Sequence, residues 1–376
     1  MYASIAGIGQ TKFSKCSDKS ELLLAAEASC LALDDAGLSG ADIDGLVTFS
    51  IDGTSETSLM AVLGIDQLRY TARTPFGGGA VASVLQHAAL AVTSGVATTI
   101  LIYRAANIRS GKRFGKPSDF ATGPFRPFAP MGLTTPAKAM ALWFQRYMIK
   151  YGVSNVDVAQ YPILARQHAS TNPNAWYFGR PIGLVDHQAS PWLVEPVLRK
   201  MDCCQESDGA VALIVTSEER ARALGCRAIK IAAAAQTQLV RGDLVHRYQH
   251  RDIADWEEAY RVAERVWSLA RLGPSDMSAA MLYDNFSPAI FMLLEAFGFC
   301  RPGESKDFFA AGVGKLCGRF PINPHGGLMG EGYVHGMNNI TEAVRQLRGD
   351  AANQLSGAEH VLVASGVSAA VLSRMN

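Results

Sequence analysis

The stretch Asn323–Gly336, NPHGGLMGEGYVHG, sets one tyrosine and two histidines among five glycines. A phenol and an imidazole are groups that carry protons or donate hydrogen bonds to developing charge. Glycines at this density bring backbone close to a neighbour, or hold it in conformations that a side chain forbids. Tyr333, with His325 beside the glycine pair and His335 two residues on, is therefore a candidate for acid–base chemistry. Other constellations are thinner. Seven cysteines (16, 30, 203, 204, 226, 300, 317) are scattered, without the paired CxxC of a zinc site or the spacing of a disulfide framework. His246 and His250 in HRYQH have the i,i+4 spacing of a metal pair. No Glu follows the first of them as in HExxH, and surface histidines are the simpler account. Adjacent Cys203 and Cys204 read as buried, inert thiols. The cluster FGGGA at Phe76 lacks the Lys-Ser/Thr of a phosphate-binding loop, so its glycines suit close approach of backbone to a ligand.

The elements that would position these residues occur twice. A β-like run, Ala3 to Phe13, is followed by an amphipathic helical stretch ending at Gly37 and a second β-like run, Ile43 to Ser50. The same order returns with a run from Ile229, a helical stretch from Trp256 ending at Gly273, and a run from Ala279 to Ser287. Each series continues with a glycine cluster, FGGGA or PHGGL, then a helical stretch, then Ser-Gly leading into an apolar run at Ser94 or Ser356. Alternation of this kind predicts an α/β fold with largely parallel strands and helices on both faces. The duplication divides the chain into halves at 1–225 and 226–376.

The first half carries an insertion, roughly Arg104 to Leu198, rich in glycine and proline. It gathers Arg104, Arg109, Lys112, Arg113, Lys116 and Arg126, either a solvated loop or a cradle for an anionic ligand. Of 376 residues, 48% are apolar and 18% charged, a globular composition with enough chain for a large core. A net charge of +1 argues against general nucleic-acid binding, which needs a basic field. The apolar run Ala88 to Tyr103 is broken by Thr93, Ser94, Gly95, Thr98 and Thr99 and reads as helix, turn and strand rather than a membrane span. The N-terminus lacks the pattern of a signal peptide, so a reduced, cytoplasmic setting is expected.

Four segments, in order, resemble the thiolase superfamily over nearly the whole chain: FGGGAVASVLQHAALAV, MDCCQESDGAVALIVTS, YDNFSPAIFMLLEAFGFC and NPHGGLMGEGYVHG. The resemblance implies a duplicated five-layer αβαβα fold with an inserted loop region. It also places the family's functional positions. The nucleophilic cysteine falls on Gly78, and the second cysteine around Ala364 to Gly366, so both thiols are missing. The histidine of the Gly-His-Pro motif falls on Tyr333, and the His or Asn of the other motif on Tyr283.

Two tyrosines at these positions resemble the steroid side-chain-cleaving aldolases of that superfamily, a branch often labelled lipid-transfer proteins and related to the thiolase domain of sterol carrier protein X. The resemblance implies retro-aldol cleavage of a β-hydroxyacyl-CoA, with Tyr283, Tyr333 and His325 as catalytic residues and no cofactor beyond the CoA of the substrate. Asp284 and His335 flank the tyrosines, and strand alternation turns Asp284 away. The family expectation is a homodimer core joined by a small OB-fold, zinc-ribbon protein into a heterotetramer. Two other accounts stand beside it. One is a thiolase with a displaced nucleophile, for which Cys300 and Cys317 lie nearest the motifs. The other is a non-catalytic acyl-CoA or sterol-binding scaffold.

Overall fold

The computed structural model describes residues 2–75, 77–111, 113–114, 123–239 and 252–375. His246, His250, Lys112, Lys116 and Phe76 lie outside the described residues. Among the described residues eleven strands form in chain order: β1 Ala3–Gln10, β2 Gly45–Phe49, β3 Tyr70–Thr74, β4 Thr99–Asn107, β5 Trp192–Val194, β6 Leu198–Arg199, β7 Asp208–Ser217, β8 Ile229–Gln236, β9 Ala279–Leu282, β10 His360–Ala364 and β11 Ser368–Arg374. β5 and β6 form a small ribbon, and the other nine make one sheet in the order β3-β2-β4-β7-β1-β8-β11-β10-β9. The two halves meet where Ser4 and Ile5 of β1 pair with Lys230 and Ile229 of β8.

Strand alternation sorts the side chains into layers. The helices Ser83–Thr93 and Met337–Arg348 lie in the middle, where Val84, Leu85, Ile340 and Val344 pack on Val47, Ile100 and Leu213 from one half and on Met281, Val361 and Leu372 from the other. The opposite face of the first half, with Leu46, Leu101 and Ile214, is covered by Leu24, Ala28 and Ala32 of the helix Glu21–Ala36. The opposite face of the second half, with Leu282, Leu362 and Val371, is covered by Val262 and Val266 of the helix Glu257–Ala270 and by Ile290 and Phe291 of the helix Ser287–Ala296. Helix, strand, helix, strand, helix is the five-layer arrangement that the resemblance implied.

Three sequence expectations are corrected. The sheet is mixed: strands run parallel where β2 lies between β3 and β4 and where β9 meets β10, and antiparallel along the rest. β11 follows β10 through a tight hairpin and β7 follows the long insertion, so neither enters through the helical crossover that enforces parallel pairing. The helix from Glu257 stops at Arg271, which takes the left-handed conformation itself (φ 54°), and Gly273 instead opens the turn Pro274–Asp276. Arg104 belongs to β4 and is buried, so it is not part of an exposed basic cradle; within that group Arg109 and Arg113 reach the Glu206 carboxylate at 3.9 and 2.5 Å. The insertion itself folds around the helix Pro136–Tyr151, which Thr135 caps by accepting from the Lys138 N–H and which Gly152 ends at φ 60°.

The central helix Met337–Arg348 is enclosed on almost every face and carries a buried carboxyl, Glu342. Burial, with the neighbouring Glu331 carboxylate, raises its pKa from 4.5 to about 8. Between those values the folded chain holds this proton and the unfolded chain has released it. Stability from this group is therefore complete at acid pH and is lost as pH rises through about 8. Glu342→Gln keeps the acceptor for the Gln346 side chain, now bonded at 2.8 Å, and removes the titration. Thermal melts are expected to show the variant gaining on wild type steadily from pH 5 to pH 8. A difference in Tm that does not change with pH would contradict this.

Candidate active site

Tyr283 stands one residue beyond the end of β9, where its N–H donates to the Ala364 carbonyl of β10 (2.9 Å). Its position is set by two clamps on either side. Before it, Leu282 bonds through both backbone groups to the Asn323 side chain: Leu282 N–H donates to Oδ1 (2.8 Å) and Asn323 Nδ2 donates to the Leu282 carbonyl (2.9 Å). After it, the Asp284 carboxyl accepts from Leu328 N–H (2.8 Å) and Met329 N–H (3.2 Å). Asp284 thus turns away from the phenol, as alternation predicted, and its work is to hold the glycine-rich loop. Burial raises its pKa to about 6. The same loop then delivers Tyr333, whose N–H donates to Ser207 Oγ (3.2 Å).

The two phenol oxygens meet at 2.8 Å, with both residues buried. The Tyr283 ring lies in a slot between two glycines. A Cβ placed on Gly78 would sit 2.2 Å from Cε2, Cζ and Oη of Tyr283, and one on Gly336 would sit 2.9 Å from Cδ2. Gly336 also has φ 79°, open only to glycine at low cost. The glycine of the cluster and the glycine of the loop are thus the walls of one tyrosine's pocket. Around Ala364 to Gly366, Ser365 Oγ donates to the Gly79 carbonyl (2.6 Å), and a Cβ on Gly366 would strike the Trp256 ring.

Burial pushes both phenols above their ordinary range. A lowered phenol pKa, the simplest way to make a tyrosine a base, is therefore not what this site provides. Either hydroxyl can be the donor in the bond between them. The charge of Arg104 acts against the rise at Tyr333.

His325 is fully buried, with Nε2 3.2 Å from Asn339 Oδ1 and 3.9 Å from the Glu331 carboxylate. Burial pulls its pKa down to about 3, so the ring is neutral. Among the described residues no hydrogen bond or ring contact joins it to either phenol. The histidine that does reach one is His335, whose ring centroid lies 5.0 Å from that of Tyr333. Its Nδ1 is 3.2 Å from Nε of Arg104, which in turn pairs with Asp52 (2.9 Å). The signal for this group was in the sequence: Arg104 is a lone charge inside the apolar run TILIYRAAN, and a charge in a buried strand needs a built partner.

The sulfur packed against the phenols belongs to Cys204, not to Cys300 or Cys317. Cys300 lies against Ser305 and Cys317 is exposed. Burial, with the carboxylates of Asp284 and Glu206, holds the Cys204 thiol far above its ordinary range, and burial does the same at Cys203. A protonated thiol is a poor nucleophile, as expected for an inert pair. Among the described residues no group of three or more His, Cys, Asp and Glu could hold a metal ion, and no helix is long and apolar enough to cross a membrane.

Residues 243–373 match the family described as thiolase C-terminal domain-like. The chain is 46% identical to the 17-hydroxy-3-oxo-4-pregnene-20-carboxyl-CoA lyase of Mycobacterium tuberculosis, over 97% of this chain and 96% of that one. It is 45% identical to the steroid side-chain-cleaving aldolase of Thermomonospora curvata, over 97% of this chain and 95% of that one. A solved structure, the Ltp2-ChsH2(DUF35) aldolase, superposes with a TM-score of 0.94 at 45% identity, covering 99% of this chain and 98% of its counterpart.

The shared volume at positions 78 and 283 has a measurable consequence. Gly78→Ala is expected to cost about 1–3 kcal/mol in denaturant unfolding by overpacking the Tyr283 ring. In the Tyr283→Ala background the same Gly78→Ala change should cost much less. Additive effects in this double-mutant cycle would show that the two positions do not compete for one space.

Proposed function

We infer that this chain, which belongs to the steroid side-chain-cleaving aldolases of the thiolase superfamily, is a lyase that splits the Cα–Cβ bond of a steroid β-hydroxyacyl-CoA by retro-aldol chemistry. The observation that carries the reading is the 2.8 Å phenol pair in a site without an available thiolate. Acyl transfer needs a nucleophile. Retro-aldol cleavage needs only that one proton leave the β-hydroxyl and one arrive at Cα.

A pair of neutral phenols suits that exchange. The β-hydroxyl proton passes to Tyr333 Oη as the Tyr333 proton passes to Tyr283 Oη and the Tyr283 proton goes to Cα. The O–H electron pair becomes the new ketone C=O. The Cα–Cβ pair flows into the thioester as an enolate and ends in the new Cα–H bond. Protons enter and leave in equal number, so neither phenol has to stay ionised, and the raised pKa values do not obstruct the relay. Tyr333 is taken as the accepting member because the Arg104 charge favours its ionised form. His325 supports the loop through Asn339, whose Nδ2 donates to the Leu282 carbonyl next to Tyr283 (3.1 Å).

The substrate proposed is a 17-hydroxy steroid with a three-carbon side chain as its CoA ester, giving propionyl-CoA and a 17-ketosteroid. CoA enters as part of the substrate, and the mechanism calls on no further cofactor. The chain is proposed to work in the cytoplasm as a homodimer core with a small OB-fold, zinc-ribbon partner in a heterotetramer; the Ltp2-ChsH2(DUF35) aldolase supports the choice of a protein partner.

Mass spectrometry of products from 17- and 24-hydroxylated steroid CoA esters, with and without the partner, tests substrate and assembly together. Propionyl-CoA from the 17-hydroxy ester is the expected product. Full activity of the chain alone would remove the partner from the account. Tyr283→Phe and Tyr333→Phe are each expected to lower kcat by about 100-fold or more with little change in Tm. Wild-type turnover in both would end the relay mechanism.

A further inference from the structure

The relay moves protons but leaves the enolate oxygen without a partner, and the retro-aldol reading requires one. The Arg104–His335 pair supplies a candidate. An arginine Nε always carries hydrogen, so at 3.2 Å from His335 Nδ1 it can only donate, and Nδ1 must present its lone pair. The ring proton of the neutral imidazole is then on Nε2. Arg104 cannot turn away to release the ring. It is buried, it pairs with Asp52 at 2.9 Å, and it also donates to the Ala105 carbonyl. Asp52 is fixed in turn by accepting from Ala105 N–H (3.0 Å).

The protonated edge faces the glycine cluster. A Cβ on Gly77 would lie 3.0 Å from His335 Cδ2 and 3.4 Å from Nε2, next to the Gly78 slot that holds Tyr283. Among the described residues no hydrogen bond to Nε2 occurs. His335 also has φ 52°, a left-handed conformation uncommon for non-glycine residues, though histidine adopts it more readily than most. Such strain persists where the surroundings over-determine it, and here it aims the ring between Tyr333 (5.0 Å between centroids) and the edge of Phe114 (5.5 Å).

We propose that His335 is a further catalytic residue: a neutral imidazole, locked as the Nε2–H tautomer by Arg104 and Asp52, that donates to the thioester oxygen as the Cα–Cβ bond breaks. The thioester of the bound substrate then lies against Gly77 and Gly78, within reach of the Tyr283 phenol at Cα. Donors aimed at a developing oxyanion act on the transition state more than on bound substrate, so the effect falls on kcat rather than KM.

Two measurements test this. In steady-state cleavage of the 17-hydroxy steroid CoA ester, His335→Ala is expected to lower kcat by about 100-fold or more with KM within about three-fold. His335→Gln, whose amide N–H can reach the place of Nε2–H, should recover at least about ten-fold of that loss, which a purely packing role would not give. In wild-type protein carrying ¹⁵N-histidine, with the resonance identified by its disappearance in His335→Gln, His335 is expected to show a protonated Nε2 and a bare Nδ1 at neutral pH. A wild-type enzyme that cleaves no β-hydroxyacyl-CoA would overturn the retro-aldol reading itself. A wild-type enzyme that cleaves while His335→Ala stays within about three-fold of its kcat would overturn the donor alone. An Nδ1–H tautomer or a doubly protonated ring would also overturn it, whether or not the variants fold.

Discussion

One volume cannot be filled twice. The space that a side chain at position 78 would take is occupied by the Tyr283 ring, 2.2 Å from where a Cβ would begin. A side chain at position 78 and a phenol from position 283 are therefore alternatives; on the resemblance that puts the family's thiol at 78, its loss and the added tyrosine are one change seen from two sides. Gly336 closes the other wall of the slot, so the glycine loop is tied to the same constraint. Interiors packed to crystal-like density transmit such exclusions without much give. The chemistry of the site, proton transfer instead of acyl transfer, follows from which group holds that space.

Holding two phenols at 2.8 Å requires the strand end and the loop to be fixed against each other. Asn323 and Asp284 do this from opposite sides of Tyr283, each with paired backbone contacts. Asn323 also donates to the Tyr161 hydroxyl (2.6 Å) and takes φ 48°, which an asparagine tolerates better than most residues. Both side chains are fully buried, where a lost partner leaves a polar group unsatisfied and costs about 1–3 kcal/mol. The clamps are therefore stiff, and a loop of five glycines behaves as a rigid part of the core rather than a flexible cover.

Much of this was legible in the residues, and the reasons for the rest are physical. The duplicated order of runs located alternating strands and helices, because apolar periodicity and glycine caps such as Gly37 are local signals; the count of five layers came from the resemblance. Tyr283 and Tyr333 were singled out because they stand at positions fixed by motif, and the fold brings their hydroxyls together. Strand direction was misread, since local pattern does not encode whether a strand is entered by hairpin or crossover, as β11 illustrates. His335 was passed over for His325 although both lie in one loop. Which imidazole turns toward the phenols depends on φ 52° at His335 and on Arg104, 231 residues away in sequence. The nearness of the half-buried Cys204 to the phenols comes from its N–H donating to the Asn285 carbonyl, a contact between distant segments.

The raised phenol pKa values look adverse for proton transfer until the whole exchange is counted. A single buried tyrosine acting as base would have to remain a phenolate in a water-poor site, and burial makes that form costly. In a pair the charge never has to rest on either oxygen, because each proton accepted is matched by one passed on. Burial then favours the relay: it keeps water from competing for the hydrogen bond between the two oxygens and from protonating the enolate at random. The same burial keeps His335 and His325 neutral and the Cys204 thiol protonated. The imidazoles and the thiol nearest the phenol pair are thus uncharged, while charge stands behind them: the Arg104–Asp52 pair one hydrogen bond behind His335, and the carboxylates of Asp284 and Glu206 near the Cys204 thiol. Under the proposed role of His335, a substrate that develops negative charge on its thioester oxygen meets an oriented donor there, which favours the step in which that charge appears.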